Sequence, residues 1–161
     1  MKMKIKIAVC EDCQKDADLL CEQLSRYCQE SGLPTYDVDI YPNGFTFSKN
    51  CLPGSYDLIF MDIYLEQDDG MRLAQNFRKA DKECPIVFFT RSTDHAVEAF
   101  KVNAAHYLTK PLAYENLAEA LDRCLRLHER QSKFILLPTE KAVQKIRVAE
   151  IVYIESLTTS V

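Results

Sequence analysis

Acidic residues and one lysine stand where three predicted strands end. Glu11 and Asp12 follow the first strand, Asp62 ends a run of large apolar residues, and Lys110 follows a shorter run later in the chain. Because the carboxyl ends of parallel strands meet at one edge of a sheet, we expect these side chains to converge there. Three converging carboxylates would raise one another's pKa, and a hard cation bound by oxygen ligands removes that conflict. The pattern therefore predicts a Mg²⁺ site.

Lys110 and Thr90 extend this chemistry to phosphate. The ammonium group of Lys110 suits a phosphoryl oxygen, and Thr90 ends the fourth predicted strand with a hydroxyl directed to the same edge. A carboxylate, a cation, a lysine and a hydroxyl together suit phosphoryl transfer to Asp62. Each residue alone has an ordinary explanation, such as a solvated lysine or a strand-forming threonine. It is their joint placement at successive strand ends that favours a functional site.

Strands and helices alternate in the segments that position these residues. Apolar runs predict strands over residues 4–10, 58–61, 85–90 and 105–109, and an alternation of apolar and polar residues predicts one over residues 36–41. Apolar residues at helical spacing predict intervening helices over residues 14–30, 45–50, 70–80, 96–100 and 114–128. The alternation predicts an α/β fold, a doubly wound five-stranded parallel sheet with helices on both faces.

The pattern changes after Lys133. Three short strands are predicted over residues 134–137, 142–148 and 151–155, with a hairpin turn over residues 138–141. We place a boundary near Gln131 and Ser132. The chain is therefore predicted to contain one domain over residues 1–131 and a short β-rich segment over residues 132–161.

Composition narrows the class of protein. The net charge of −4 over 161 residues argues against a dedicated nucleic-acid surface, and no apolar run approaches membrane-spanning length. The first residues lead into a short strand, so we expect no secretory signal and a cytoplasmic protein. Cys10 and Cys13 have zinc or redox spacing, but no second pair completes a site. The seven cysteines are expected to be reduced thiols packed as small apolar residues.

Taken together, these motifs resemble a bacterial response-regulator receiver domain over about residues 2–130. The residues that carry the resemblance are Cys10-Glu11-Asp12, Met61-Asp62-Ile63, Asp69-Gly70, Thr90 and Tyr107-Leu108-Thr109-Lys110-Pro111. The resemblance implies a flavodoxin-like sheet of order 2-1-3-4-5. It also implies that Asp62 accepts a phosphoryl group from a phosphohistidine of a sensor histidine kinase.

Further site roles come only from this resemblance. They are Mg²⁺ ligation by Asp12, Asp62 and the backbone carbonyl of Tyr64, with Glu11 acting through water, phosphate contacts from Lys110 and Thr90, and a rotameric switch at Tyr107. The implied protein is a signalling switch and not a turnover enzyme, since it would catalyse only its own phosphorylation and dephosphorylation. Phosphorylation would alter a surface that controls dimerisation and transcription.

The C-terminal segment resembles the opening of a LytTR-type DNA-binding domain. The matching residues are Phe134-Ile135-Leu136-Leu137 and Ile151-Val152-Tyr153-Ile154-Glu155-Ser156. Residues 93–100 also resemble the corresponding segment of receivers that precede such a domain. Such a module normally runs several strands further, so this one is expected to be truncated. Promoter DNA is therefore an expected partner of the intact protein but not of this chain. The tail is expected either to dock on its own receiver or to pair with the tail of a second copy in a homodimer, and the second is favoured because pairing satisfies backbone groups as well as burying side chains.

Two positions depart from the receiver pattern. Arg91 follows Thr90 where receivers usually carry a small residue, and Glu66 replaces the proline common in the loop after the acceptor. Both flank the predicted site. Arg91 is a possible modulator of the lifetime of the phosphoryl group, and the alternative is a solvated side chain.

Two other classes share parts of this pattern. An Asp-nucleophile phosphatase of the haloacid dehalogenase type needs a second aspartate two residues after the nucleophile, and that position is Tyr64. A flavodoxin-like flavin binder needs backbone amides for phosphate after the first strand, where Glu11 and Asp12 would repel the ligand.

Overall fold

The computed structural model describes residues 4–33, 36–132, 134–138 and 143–147. The chain forms two compact units, residues 1–124 and residues 125–161. None of the helices in the described ranges has the length and apolar content needed to cross a bilayer.

The first unit contains a five-stranded sheet in which every paired strand is parallel. The strands are β1 (Ile5–Cys10), β2 (Tyr36–Tyr41), β3 (Leu58–Met61), β4 (Ile86–Thr90) and β5 (His106–Thr109). Their order is β2-β1-β3-β4-β5, as predicted. Because the order reverses beside β1, the carboxyl ends of β1 and β3 border the crevice in which such folds place their sites.

Helices connect the strands. They are α1 (Gln14–Ser31), α2 (Gly44–Asn50), α3 (Gly70–Ala80), α4 (Ala96–Ala99) and α5 (Tyr114–Ser132). Local signals set their ends. Gly32, at φ 62°, ends α1 in the left-handed conformation that glycine adopts without strain. The side chain of Asn43 accepts a hydrogen bond from the Thr46 N–H and so caps the start of α2.

The central strands are buried because helices cover the sheet. All residues of β3 and β4 are buried, which explains why their sequences are continuous apolar runs and not alternating ones. Phe60 and Phe88 are among the largest fully buried side chains. This core fixes the strands, and the strand ends in turn fix the residues that follow them.

The fourth helical segment is short, as predicted, but its large apolar side chains do not face the core. α4 spans only four residues and continues into one 3₁₀ turn, Phe100–Val102. Val97 and Phe100, whose spacing predicted the helix, are 75% and 85% exposed, whereas Ala99 and Val102 are buried. Small residues therefore anchor this segment to the core, and its large apolar side chains face outward.

The second unit contains a two-stranded antiparallel sheet. β6 (Phe134–Pro138) pairs with β7 (Val143–Arg147), with Phe134 opposite Arg147 and Pro138 opposite Val143. β6 and β7 agree with the first two of the three strands that are predicted after Lys133. The hairpin turn is predicted over residues 138–141, but Pro138 ends β6. Residues 139–141 of that turn and residues 151–155, the third predicted strand, lie outside the described residues.

The cysteines fall into two groups. Cys10, Cys51, Cys84 and Cys124 are buried, whereas Cys13, Cys21 and Cys28 are half-buried. Burial raises the pKa of Cys10, Cys51 and Cys124 to about 12. These three thiols are therefore protonated at neutral pH and pack as small apolar side chains.

Candidate functional site

The first strand delivers two carboxylates to the carboxyl edge of the sheet. Beyond β1, the N–H of Glu11 donates to the carbonyl oxygen of Tyr41 at 3.0 Å, so the backbone stays fixed to the sheet. Glu11 is 2% exposed, and its Oε1 accepts a hydrogen bond from the Cys13 N–H at 3.0 Å. Asp12 is half-buried, and its Oδ2 accepts a hydrogen bond from the Glu66 N–H at 2.6 Å.

Asp62 follows β3 and lies beside Glu11 and Asp12. Its N–H donates to the carbonyl oxygen of Cys10 at 2.9 Å, and the residue is 3% exposed. One carboxylate oxygen, Oδ1, accepts a hydrogen bond from the Tyr64 N–H at 3.1 Å. The other, Oδ2, lies 2.8 Å from Nζ of Lys110. The protein therefore orients both oxygens of a buried carboxylate.

Gly70 allows α3 to begin directly against the backbone of Asp62. Asp69 caps the helix by accepting a hydrogen bond from the Met71 N–H at 2.8 Å. The N–H of Gly70 donates to the carbonyl oxygen of Ile63 at 2.9 Å. A Cβ atom at Gly70 would lie 1.8 Å from the carbonyl oxygen of Asp62. Only glycine permits this approach, which explains the Asp-Gly pair noted in the sequence.

The three carboxylates form a cluster suited to a cation. One oxygen from each of Glu11, Asp12 and Asp62 lies within 4.8 Å of the others. Burial raises the pKa of Glu11 and outweighs the hydrogen bonds from Lys110 and the Cys13 N–H, which lower it. A bound cation would relieve this cost. The donor set contains only oxygen atoms, so these residues fit Mg²⁺.

Lys110 connects the cluster to the last strand of the sheet. Its Nζ lies 2.7 Å from Glu11 Oε2, 2.8 Å from Asp62 Oδ2 and 2.8 Å from Asp16 Oδ2. Burial lowers the pKa of Lys110, but its close contacts with the carboxylates of Asp16, Asp62 and Glu11 outweigh that effect and raise the pKa above its ordinary value. The ammonium group is therefore charged at neutral pH and is held within reach of both Asp62 and a group attached to it.

Asp16 is the site residue that the sequence did not reveal. It lies in the first turn of α1, where acidic residues are common because they complement the helix dipole. That ordinary explanation hid its contact with Lys110. The available signal was its position four residues after Asp12, one helical turn into the segment that starts at the site.

Thr90 presents a buried hydroxyl at the end of β4. The residue is fully buried, and its Oγ1 has no hydrogen-bond partner among the described residues. The backbone places it beside the lysine, because the N–H of Lys110 donates to the carbonyl oxygen of Thr90 at 2.8 Å. A buried hydroxyl without a partner is costly, and a bound phosphoryl oxygen would satisfy it.

Tyr107 is held in one orientation by the loop after β4. Its hydroxyl donates to the carbonyl oxygen of Ser92, and its ring packs against Phe88 with the centroids 6.1 Å apart. The side chain is half-buried. Any movement of the segment after Thr90 therefore displaces the acceptor of the Tyr107 hydroxyl.

A cleft of about 630 Å³ opens above the carboxylates, and its rim contains the remaining predicted residues. Tyr64 is 47% exposed, and its ring meets His95 edge-on with the centroids 5.6 Å apart. The Arg91 side chain is 70% exposed, and its Nη2 lies 3.8 Å from Asp16 Oδ2. Both residues therefore border the route by which a donor would reach Asp62.

The fold and this site define a recognisable class. The model of the response regulator receiver domain matches residues 9–122. The chain therefore belongs to the receiver domain family of two-component response regulators.

Known proteins of this class are similar to the chain. The transcriptional regulatory protein RprY of Bacteroides fragilis is 37% identical over 128 residues, which cover 78% of this chain and 51% of RprY. The sensory transduction protein LytR of Staphylococcus epidermidis is 38% identical over 75 residues, which cover 47% of this chain and 30% of LytR. The chain thus matches about half of the length of RprY and less than a third of the length of LytR.

A solved structure supports the same assignment. The response regulator TrrA of Thermotoga maritima, solved in complex with Mg²⁺ and BeF, superposes with a TM-score of 0.63 at 29% identity. The match covers 76% of this chain and 99% of TrrA. Neither these comparisons nor the exposed phenol of Tyr64 supports the phosphatase alternative.

Proposed function

We propose that Asp62 accepts a phosphoryl group from a phosphohistidine of a sensor histidine kinase. The observation that carries this proposal is the contact of Lys110 Nζ with both Asp62 and Glu11 inside a cluster of three carboxylates. In the transfer, an Asp62 oxygen forms a bond to phosphorus as the phosphorus–nitrogen bond breaks. The histidine ring keeps the electron pair.

Mg²⁺ would be held by Asp12, Asp62 and the Tyr64 carbonyl oxygen, with Glu11 acting through water. When bound, it neutralises charge on the phosphoryl oxygens. The protein's own groups do the rest. The Tyr64 N–H orients the Asp62 carboxylate, and Lys110 binds a phosphoryl oxygen. The Thr90 hydroxyl, which has no hydrogen-bond partner in the part of the chain that the structure describes, donates to another phosphoryl oxygen. Hydrolysis later breaks the bond between phosphorus and the Asp62 oxygen and restores the carboxylate, so the protein is a switch and not a turnover enzyme.

The switch would run from Thr90 to Tyr107. When Thr90 moves toward a phosphoryl oxygen, the segment containing Ser92 moves with it, and the Tyr107 hydroxyl loses or changes its acceptor. This would alter the exposed surface near Val97 and Phe100. The output would be dimerisation and transcriptional control in the intact protein.

We further propose that residues 1–131 form the receiver and that residues 132–161 begin a LytTR-type DNA-binding domain. The antiparallel pairing of β6 with β7 and the similarity to LytR support this proposal. The intact protein would bind promoter DNA.

The test is incubation with acetyl phosphate, with and without Mg²⁺, followed by intact-mass measurement. We expect the mass of one phosphoryl group to be added only with Mg²⁺. Asp62→Asn removes the nucleophile but keeps the side-chain size, and it should abolish the addition. Asp57→Asn is the matched control, because Asp57 lies before β3 and not after it. The same modified peptide in Asp62→Asn would refute the assignment.

A further inference from the structure

Asp16 contacts both cations that flank Asp62. Its Oδ2 lies 2.8 Å from Lys110 Nζ and 3.8 Å from Arg91 Nη2. Burial raises the pKa of Asp16, but the close contact with Lys110 and the positive charges of Lys110 and Arg91 outweigh it and hold the pKa below its ordinary value. Asp16 is therefore a charged carboxylate at neutral pH.

The geometry of Lys110 makes Asp16 a competitor of the phosphoryl group. An ammonium group has three N–H donors, and three carboxylates surround this one. A phosphoryl oxygen can bind Lys110 only if one of these acceptors gives way. The side chains of Glu11 and Asp62 are 1% and 4% exposed, whereas that of Asp16 is 24% exposed. Lys110 donates hydrogen bonds to Glu11 and Asp62, whereas its close contact with Asp16 Oδ2 lacks hydrogen-bond geometry, so Asp16 is the acceptor that yields.

Arg91 adds to the same effect. Its guanidinium borders the cleft, where it would attract an anionic donor, and the carboxylate of Asp16 lies beside it. The negative charge of Asp16 thus offsets both positive charges that a phosphoryl donor would meet.

We infer that Asp16 is a positioning residue that withholds Lys110 and Arg91 from an incoming phosphoryl group and slows phosphoryl uptake by Asp62 from small anionic donors. The inference rests on the proposed function. For acetyl phosphate, the bond between phosphorus and the acetate oxygen breaks, acetate leaves with the electron pair, and Asp62 forms the new bond. Asp16 takes no part in bond making. Asp16 thus disfavours donors whose negative charge must be neutralised by Lys110 and Arg91.

The experiment compares the rate of phosphoryl uptake from acetyl phosphate in Asp16→Asn and in the unaltered chain. We expect an increase of roughly threefold to fivefold in the second-order rate constant, the effect of losing one partly exposed ion pair. Asp18→Asn is the matched control. It removes the same charge from the same helix, but Asp18 is exposed and bonds to Gln14. Asp16→Glu keeps the charge and should stay near the original rate.

A binding measurement separates positioning from general effects on the reaction. Beryllium trifluoride with Mg²⁺, followed by ¹⁹F NMR, should bind more tightly to Asp16→Asn by a similar factor. Arg91→Ala should lower uptake more when it is added to Asp16→Asn than when it is made alone, because the guanidinium is paired with Asp16 in the unaltered chain and is free to meet the donor in Asp16→Asn. Asp16→Ala serves as a second variant if Asp16→Asn does not fold.

The outcomes separate the two proposals. If the unaltered chain takes up no phosphoryl group at Asp62, the proposed function fails. If the unaltered chain is phosphorylated but Asp16→Asn is no faster, or Asp18→Asn is faster by the same factor, Asp16 has no positioning role and only the inference is overturned.

Discussion

The backbone N–H of Glu66 donates a hydrogen bond to Oδ2 of Asp12 at 2.6 Å. This contact joins the loop after β3 to a carboxylate of the predicted cation site. Receivers commonly carry proline at the position of Glu66, and proline has no N–H to donate. The departure from the family pattern therefore supplies a bond that the usual residue cannot make.

Glu66→Pro should weaken Mg²⁺ binding. Hydrogen bonds to a ligating carboxylate fix its orientation, and their loss typically lowers metal affinity by about tenfold or more. Glu66→Ala is the control, because it removes the side-chain charge but keeps the N–H. Isothermal titration of both variants with MgCl₂ isolates the hydrogen bond. Equal affinities in the two variants would show that the Glu66 N–H does not orient Asp12.

Gly70→Ala should disturb both stability and the site. The new Cβ would meet the Asp62 carbonyl oxygen at 1.8 Å, so α3 must move away from the loop. Overpacking of this kind costs about 1–3 kcal/mol in the free energy of unfolding, which urea denaturation measures. Phosphoryl uptake at Asp62 should also fall. Gln75→Ala, at an exposed position of the same helix, should change neither quantity.

These residues show what the sequence could and could not predict. Glu11, Asp62 and Lys110 were predictable because a parallel sheet places all its strand ends at one edge, whatever the loops do. Asp16 was not, because its contact depends on how α1 is rotated against the sheet. Periodicity likewise placed Val97 and Phe100 on a helix, but it does not say whether an apolar side chain is covered by the same chain. Long-range packing decides both the rotation of α1 and the burial of these apolar side chains.

Asp81 should make stability depend on pH in the acidic range. Its carboxylate accepts hydrogen bonds from the N–H groups of Gly54, Glu83 and Cys84. Burial raises the pKa of Asp81, but these bonds and the charge of Arg78 outweigh it and lower the pKa. Because the folded pKa lies below the unfolded one, the stabilisation is fully present above the unfolded pKa of about 3.9 and is lost as pH falls through the folded pKa.

Asp81→Asn should therefore lower the free energy of unfolding at neutral pH by about 1–3 kcal/mol. The difference from the unaltered chain should shrink as pH falls into the acidic window, as urea titrations at several pH values would show. Glu22→Gln, on the exposed surface of α1, should give no such trend. A difference that stays constant with pH would mean that charge on Asp81 is not the cause.

Arg91→Ala should shorten the lifetime of the phosphorylated form. A guanidinium at the rim can bind a phosphoryl oxygen and shield phosphorus from water, and both effects slow hydrolysis. The decay of the phosphorylated mass after donor removal measures the half-life at fixed Mg²⁺. Arg72→Ala, at an exposed position on α3, controls for the loss of one positive charge. An unchanged or longer half-life would identify Arg91 as a solvated side chain.

The β6–β7 sheet should hold two copies of the chain together. Two strands alone are marginally stable in water, and among the described residues the outer edges of β6 and β7 have N–H and C=O groups that can pair with another strand. Leu136, in β6, is 66% exposed and would be covered by such pairing. Because this contact does not involve the carboxylate cluster, we expect a dimer without phosphorylation.

Light scattering on the unphosphorylated chain, on a version ending at Gln131 and on Leu136→Lys tests this dimer. We expect the full chain to be dimeric and the shortened version to be monomeric. Leu136→Lys should weaken the dimer, because pairing would bury a lysine without a partner. A monomeric full chain would contradict the prediction. If the shortened version were as dimeric as the full chain, the receiver surface would make the contact, and the exposed side chains of Val97 and Phe100 would be the first residues to alter.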